Sequence, residues 1–202
     1  MTPPDARTIA RLLLAYAVLT LVLWLGGRGY SQAWCGILAT LVAWLQEGFA
    51  PVQVGLAVID GQPAFQVRGA ASPALVARYP VMPPGTLWTA GTLQAYAHLH
   101  LVLVLAPLLA WPVGNARARL RLLAGAVPAV AVATCLDLPF ALYGLLMTGV
   151  YQTLDPAGLA TDPAVAYFEF LQRGGRLVLP LAAAGLVIAA ARPQAPGPLR
   201  TR

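Results

Sequence analysis

Apolar positions gather into four long runs, separated by one large and two small polar stretches. The first run covers residues 9–26, with Leu12, Leu13, Leu14, Val18, Leu19, Leu21, Val22 and Leu23 at its centre; the others cover 93–113, 120–150 and 176–191. A helix rises about 1.5 Å per residue, so roughly 20 residues cross a hydrocarbon core of about 30 Å. Each run is therefore predicted to be a transmembrane helix. The fourth is short, and its flanking arginines can snorkel outward to lengthen it. The third is too long for one straight span. Pro128 and Pro139 are expected to kink it, or the part beyond Asp137 to break away.

The large polar stretch, 27–92, carries its own periodicities. Trp34, Ile37, Leu38, Leu41, Leu45 and Phe49 recur at helical spacing, but the continuous apolar part, 33–45, is too short to span comfortably. An interfacial or re-entrant helix is expected, with Trp34 and Trp44 at headgroup depth as lipid or partner contacts. Val52, Val54, Leu56 and Val58 then alternate at period two, and Asp60-Gly61 is a turn signal. The segment Phe65-Gln66-Val67-Arg68 can pair back as a hairpin, with Pro63 placing the return strand at an edge. Residues 70–91, rich in proline, are expected to be an extended linker back into the membrane. In the second outer stretch, 152–175, a short helix is predicted from Asp162 or Pro163 to about Gln172, with Asp162 as its N-cap. The tail, 193–202, is expected to be disordered. The fold class is thus mainly α and multi-pass: a single membrane domain of four transmembrane helices, an extracytoplasmic interfacial helix and a small β-hairpin.

Composition agrees. Hydrophobic residues make up 59% of the chain, charged residues 10%, and the mean hydropathy is +0.71. A soluble domain carries about 25% charged residues. The net charge is +6, and all 13 basic residues are arginine, which reads as genome composition. The arginines border apolar runs, a pattern that orients helices in a bilayer and argues against a nucleic-acid partner. Arg7, Arg11, Arg117, Arg119, Arg121, Arg192, Arg200 and Arg202 fall on one side of a four-span layout, eight against the five of Arg28, Arg68, Arg78, Arg173 and Arg176. Glu47, Asp60, Asp155, Asp162 and Glu169 fall on the opposite side from the eight. This predicts a bacterial inner-membrane protein with both termini cytoplasmic. The first run has an alternative reading as a cleaved signal peptide, because Ser31-Gln32-Ala33 offers small residues at cleavage-like spacing; its length and the intervening Arg28 favour retention. Bulky Trp34 before Cys35 excludes a lipoprotein.

Candidate chemistry centres on Asp137, a carboxylate inside the longest apolar run. Its cost in lipid demands a polar partner or a cavity. Counting from the cytoplasmic ends of the second and third runs, His98, His100 and Asp137 all lie roughly 20–23 Å up, in one layer of the outer leaflet. An imidazole–carboxylate pair there could be a proton site or an anchor for a partner's polar group. An internal hydrogen bond between helices is the weightier reading. The histidines sit about 200° apart around a helix, so they cannot share a metal, and no metal-ligand spacing or cofactor motif occurs. Cys35 and Cys135, at different depths, are expected to stay free. The order Cys35, Arg78, His98 carries no local motif, and no catalytic residue is assigned. Gly125, Ala129 and Ala133 form a small-residue stripe on the third run, as Ala182, Gly185 and Ala189 do on the fourth, suited to close helix packing inside the fold or, less commonly, at a seam with another protein. Arg173 and Arg176 are expected at the outer membrane face, as lipid-phosphate or partner contacts or, the weightier reading, simply capping the entry of the last span.

In layout the chain resembles the small membrane proteins associated with exosortases, in particular the exosortase H-associated type. The features that carry this are Arg11-Leu12-Leu13-Leu14 and Leu23-Trp24-Leu25 in the first run, the outer apolar helix and hairpin-like segment, and the proline-rich return. A short arginine loop and the segment Phe170-Leu171-Gln172-Arg173-Gly174-Gly175-Arg176-Leu177-Val178-Leu179-Pro180 complete it. The resemblance implies a non-catalytic accessory to a membrane-embedded, cysteine transpeptidase-like enzyme that processes C-terminal sorting signals. The alternative is a small subunit of a transporter or other membrane complex that uses Asp137. Either reading implies the bilayer and another membrane protein as partners.

Overall fold

A single helix, α1 (Ala6–Leu45), replaces both the first span and the separate interfacial helix expected after it. The computed structural model describes residues 5–45, 48–113 and 115–191. Gly26, Gly27 and Gly29 suggest a break, yet a helical glycine costs only about 1 kcal/mol relative to alanine. Against that cost stands a continuous buried stripe of Leu23, Gly27, Ser31, Cys35, Leu38 and Val42, which crosses the glycines at helical spacing. Tertiary packing overrides the local signal. Before Leu23 no residue of α1 is buried, and Leu13, Leu14, Val18, Leu21 and Val22 are exposed.

After α1 come β1 (Phe49–Ile59), β2 (Gln62–Ala71), the short helix α2 (Pro73–Arg78) and β3 (Leu87–Leu93). The expected hairpin is present, turning at Asp60-Gly61, where both residues have positive φ. It belongs to a larger sheet. The three antiparallel strands lie in the order β1-β2-β3, so the stretch expected to be a linker holds a strand and a helix. Pro63 does not mark an edge, because β2 is central. The proline sits at the start of β2, paired with Val58 but beyond the last β2–β3 pair, Ala64 with Leu93, so its missing N–H costs no bond to β3. Ser72 caps α2 by accepting from the Leu75 amide.

The chain continues through α3 (Ala95–Ala110), α4 (Ala116–Leu154), α5 (Pro163–Phe170) and α6 (Arg176–Ala190), with a 3-10 turn at Gly158–Ala160 and a π turn at Leu171–Gly175. The third run neither breaks nor separates after Asp137: α4 runs 39 residues through Pro128 and Pro139. At about 1.5 Å per residue it is roughly twice as long as a hydrocarbon core of about 30 Å is thick. Its surplus length has a use. Leu142, Leu146, Met147 and Tyr151 on its upper part join Leu38, Val42, Phe65 and Val67 in a core under the sheet. A second core, lower down, packs Val104 and Leu108 of α3 against Leu122, Ala126 and Val130 of α4. Asp162 caps α5, accepting from the Ala164 and Val165 amides. Among the described residues, three helical units are long and apolar enough to cross a membrane: α1, α4 and Pro163–Ala190; α3 is apolar but shorter.

On α4 the small residues Ala129 and Ala133 are buried, and Gly125 lies against Val187 of α6. The stripe expected on α6 faces the other way: Ala182, Gly185 and Ala189 are exposed, and the inner face carries Pro180 and Ala184 instead. Glu47, Arg192, Arg200, Arg202 and the tail 193–202 lie outside the described residues.

Candidate functional site

Asp137 faces inward from α4, fully buried, three residues and nearly one turn from buried Thr134. His100 arrives from α3, also fully buried. Its Nε2 lies 2.8 Å from Asp137 Oδ2, and its Nδ1 lies 3.3 Å from Thr134 Oγ1. A carboxylate can only accept, so with Asp137 ionised Nε2 carries the proton, and Nδ1 of a neutral ring accepts from the Thr134 hydroxyl. Both ring nitrogens are then satisfied. Depth counting pairs Asp137 with a histidine of the neighbouring helix, and the partner here is His100.

His98 goes elsewhere, as the 200° separation requires. Its Nε2 lies 3.2 Å from Gly27 O and 3.1 Å from Ser31 Oγ, on the α1 face of α3. The carbonyl only accepts, so this nitrogen is the donor. Gly27 has to be glycine for this contact, because a Cβ there would collide with the His98 ring. Ser31→Ala is expected to cost about 1 kcal/mol, the usual net worth of one hydrogen bond; chemical denaturation in detergent would measure it, and an unchanged stability would leave Gly27 O as the only partner that matters.

Arg176 is the residue that sequence reasoning misplaced. It was expected at the outer membrane face, yet its side chain is 5% exposed and its Nε lies 3.2 Å from Asp137 Oδ1. Two devices bring it inside. The π turn at Leu171–Gly175 adds a residue to the helical turn, and Gly174 takes φ 120°, a conformation that L side chains rarely adopt. Gly175 lies directly under the Phe170 ring, where a Cβ would clash. The Arg176 guanidinium carbon then sits 3.8 Å from the centre of the Tyr96 ring, a cation–π contact. The double glycine before an apolar run was the available signal. Arg173, three residues earlier, stays at the surface, where it pairs with Glu169 at 3.1 Å.

The result is a chain of four side chains across three helices: Thr134, His100, Asp137 and Arg176. With His100 neutral its net charge is zero, which makes it tolerable in a low-dielectric interior. The Arg176–Asp137 contact is an ion pair rather than a directed hydrogen bond. Asp137 Oδ1 and the three guanidinium nitrogens have no hydrogen-bond partner among the described residues. Tyr167 closes the site from α5, donating to Leu136 O at 2.9 Å and stacking edge-on against Phe140.

The remaining candidates do not converge. Cys35 and Cys135 are free; the Cys35 thiol donates to Ser31 O, and Arg78 lies over the rings of Tyr79 and Tyr151. Trp34 is half-buried, stacking edge-on against Tyr30 beside the outer core, whereas Trp44 is exposed. Among the described residues no group of three His, Cys, Asp or Glu side chains could hold a metal ion. A second polar cluster, away from Asp137, carries no signal in the sequence. Tyr151 donates to Asp162 Oδ2 at 2.7 Å and Tyr79 reaches Asp155 Oδ2 at 3.4 Å, so α2 is tied to the connection between α4 and α5. Burial pushes the Tyr79 hydroxyl up from the usual range, opposed by the Arg78 charge. No protein-family model matches the chain, and no curated protein or solved structure matches it.

Proposed function

We propose that this chain is a non-catalytic accessory subunit of a bacterial inner membrane, crossing it four times with both termini cytoplasmic, and that it assists an exosortase-type enzyme in processing sorted proteins. The arginine asymmetry supports the orientation, and the layout described above supports the class of partner. In this reading α3 and α6, each about 23 Å long at 1.5 Å per residue, are the second and fourth spans, in a locally thinned bilayer. The observation that carries the non-catalytic part is that the intramembrane carboxylate is spent on His100 and Arg176, partners from two other helices. Such a group, with its charge neutralised by Arg176 and one oxygen hydrogen-bonded to His100, clamps a bundle together.

A second reading, a small subunit of a transporter or other complex, draws on one specific observation. Nη1 and Nη2 of Arg176 hold unspent hydrogen-bonding capacity inside the bundle. Purification of the tagged full chain in mild detergent separates the two. Co-purification of an exosortase-like enzyme is expected; a homo-oligomer or a transport assembly without such an enzyme would overturn the first reading. Reporter fusions within the β1–β2 turn should read external, and fusions after Arg192 cytoplasmic. An internal β1–β2 turn would reverse the orientation.

A further inference from the structure

A cavity of about 600 Å³ opens beside α1, walled by Trp24 and Arg28 of α1, Leu56 and Val58 of β1, and Gln94 and His98 at the start of α3. That volume lies within the range of roughly 300–1,000 Å³ common for small-ligand sites. Its place in the bilayer follows from counting along α1. Arg28 is 17 residues beyond Arg11, about 26 Å along the helix axis, which puts it beside the outer headgroups when Arg11 marks the inner ones. Trp24 lies about one turn deeper, is 81% exposed, and continues the apolar face formed by Leu21 and Val22. The hairpin end hangs over this face, with Val58 exposed at 72%. With α1 crossing the membrane, the wall formed by Trp24 belongs to the surface that α1 turns to the outer leaflet.

Charge selects the occupant. Among the described residues lining the cavity, Arg28 is the one charged side chain, and no carboxylate faces it. A guanidinium at headgroup depth above an apolar wall matches a phosphodiester above an acyl chain, since arginine presents paired donors to phosphate oxygens. We propose that the cavity holds one anionic phospholipid of the outer leaflet, its phosphate on Arg28 and an acyl chain along Trp24, Leu56 and Val58. The proposal requires that α1 cross the membrane; it is independent of any enzyme partner.

The test uses the full chain in phosphatidylcholine vesicles that contain an equal small fraction of either brominated phosphatidylglycerol or brominated phosphatidylcholine. Bromine quenches tryptophan at contact, and subtracting the Trp24→Phe signal isolates Trp24. Quenching of Trp24 by the brominated anionic lipid is expected to be at least threefold stronger than by the brominated zwitterionic one. Arg28→Gln should erase the difference, whereas Arg68→Gln, on the exposed face of β2, should leave it intact. Equal quenching by the two lipids in the native chain would overturn the proposal. So would a preference that survives Arg28→Gln, or one that Arg68→Gln removes equally, because the attraction would then be a diffuse surface charge.

Discussion

Asp137→Leu is expected to destabilise the protein by about 3–5 kcal/mol, the cost of leaving a buried charge without its counter-charge. The stranded group is Arg176, whose Nε otherwise lies 3.2 Å from the carboxylate and whose side chain is nearly excluded from solvent. His100 would lose its acceptor as well. Arg176→Leu should be similarly damaging for the opposite reason. The double variant Asp137→Leu/Arg176→Leu should recover most of the loss, because a buried ion pair is often no better than apolar residues of similar volume. A smaller coupling, about 0.5–1.5 kcal/mol, is expected between Asp137 and His100, typical of hydrogen bonds between membrane helices. Equilibrium unfolding in detergent micelles, read on the two singles and the double, measures these terms. If the effects of Asp137→Leu and Arg176→Leu simply add, the pair contributes no clamp, and Arg176 must find its counter-charge in a partner protein.

Phe65→Ala should have an effect of comparable size, about 3–5 kcal/mol, by a different mechanism. Phe65 is fully buried in the central strand, opposite Leu56 on β1 and Thr92 on β3. Its removal opens a cavity in the core that joins the sheet to the upper parts of α1 and α4. The helices below keep their own core around Leu108 and Leu122. Hydrogen-exchange protection of β2 should therefore fall in Phe65→Ala while the amides of Leu108 and Leu122 stay protected. Equal loss of protection at both would mean that the two cores unfold as one unit.

Much of the helical architecture was legible in the chain itself. Long apolar runs, arginines at their borders and the Asp60-Gly61 turn are local signals, and their physics is local: transfer of apolar surface, snorkelling charges, and backbone conformations that few residues adopt. The helix capped by Asp162 is of the same kind, since its start is written in three consecutive residues. Depth counting also brought Asp137 level with the histidines, because helical rise is constant and a short loop keeps neighbours adjacent.

What needed the tertiary structure were the places where packing outweighs a local preference. Three glycines in α1 look like a boundary, yet a buried stripe from Leu23 to Val42 carries the helix through them. β3 was hidden among prolines and threonines because its stability comes from pairing with β2, which no short window of sequence displays. The choice between His98 and His100 depended on which face of α3 meets α4. Arg176 is the sharpest case: read alone it belongs among headgroups, the cheapest place for a cation. Only the π turn, Gly174 and the facing carboxylate of a helix some forty residues earlier make its burial affordable. A chain spells out directly what each segment prefers by itself, whereas a buried charge is settled by what the rest of the fold places beside it.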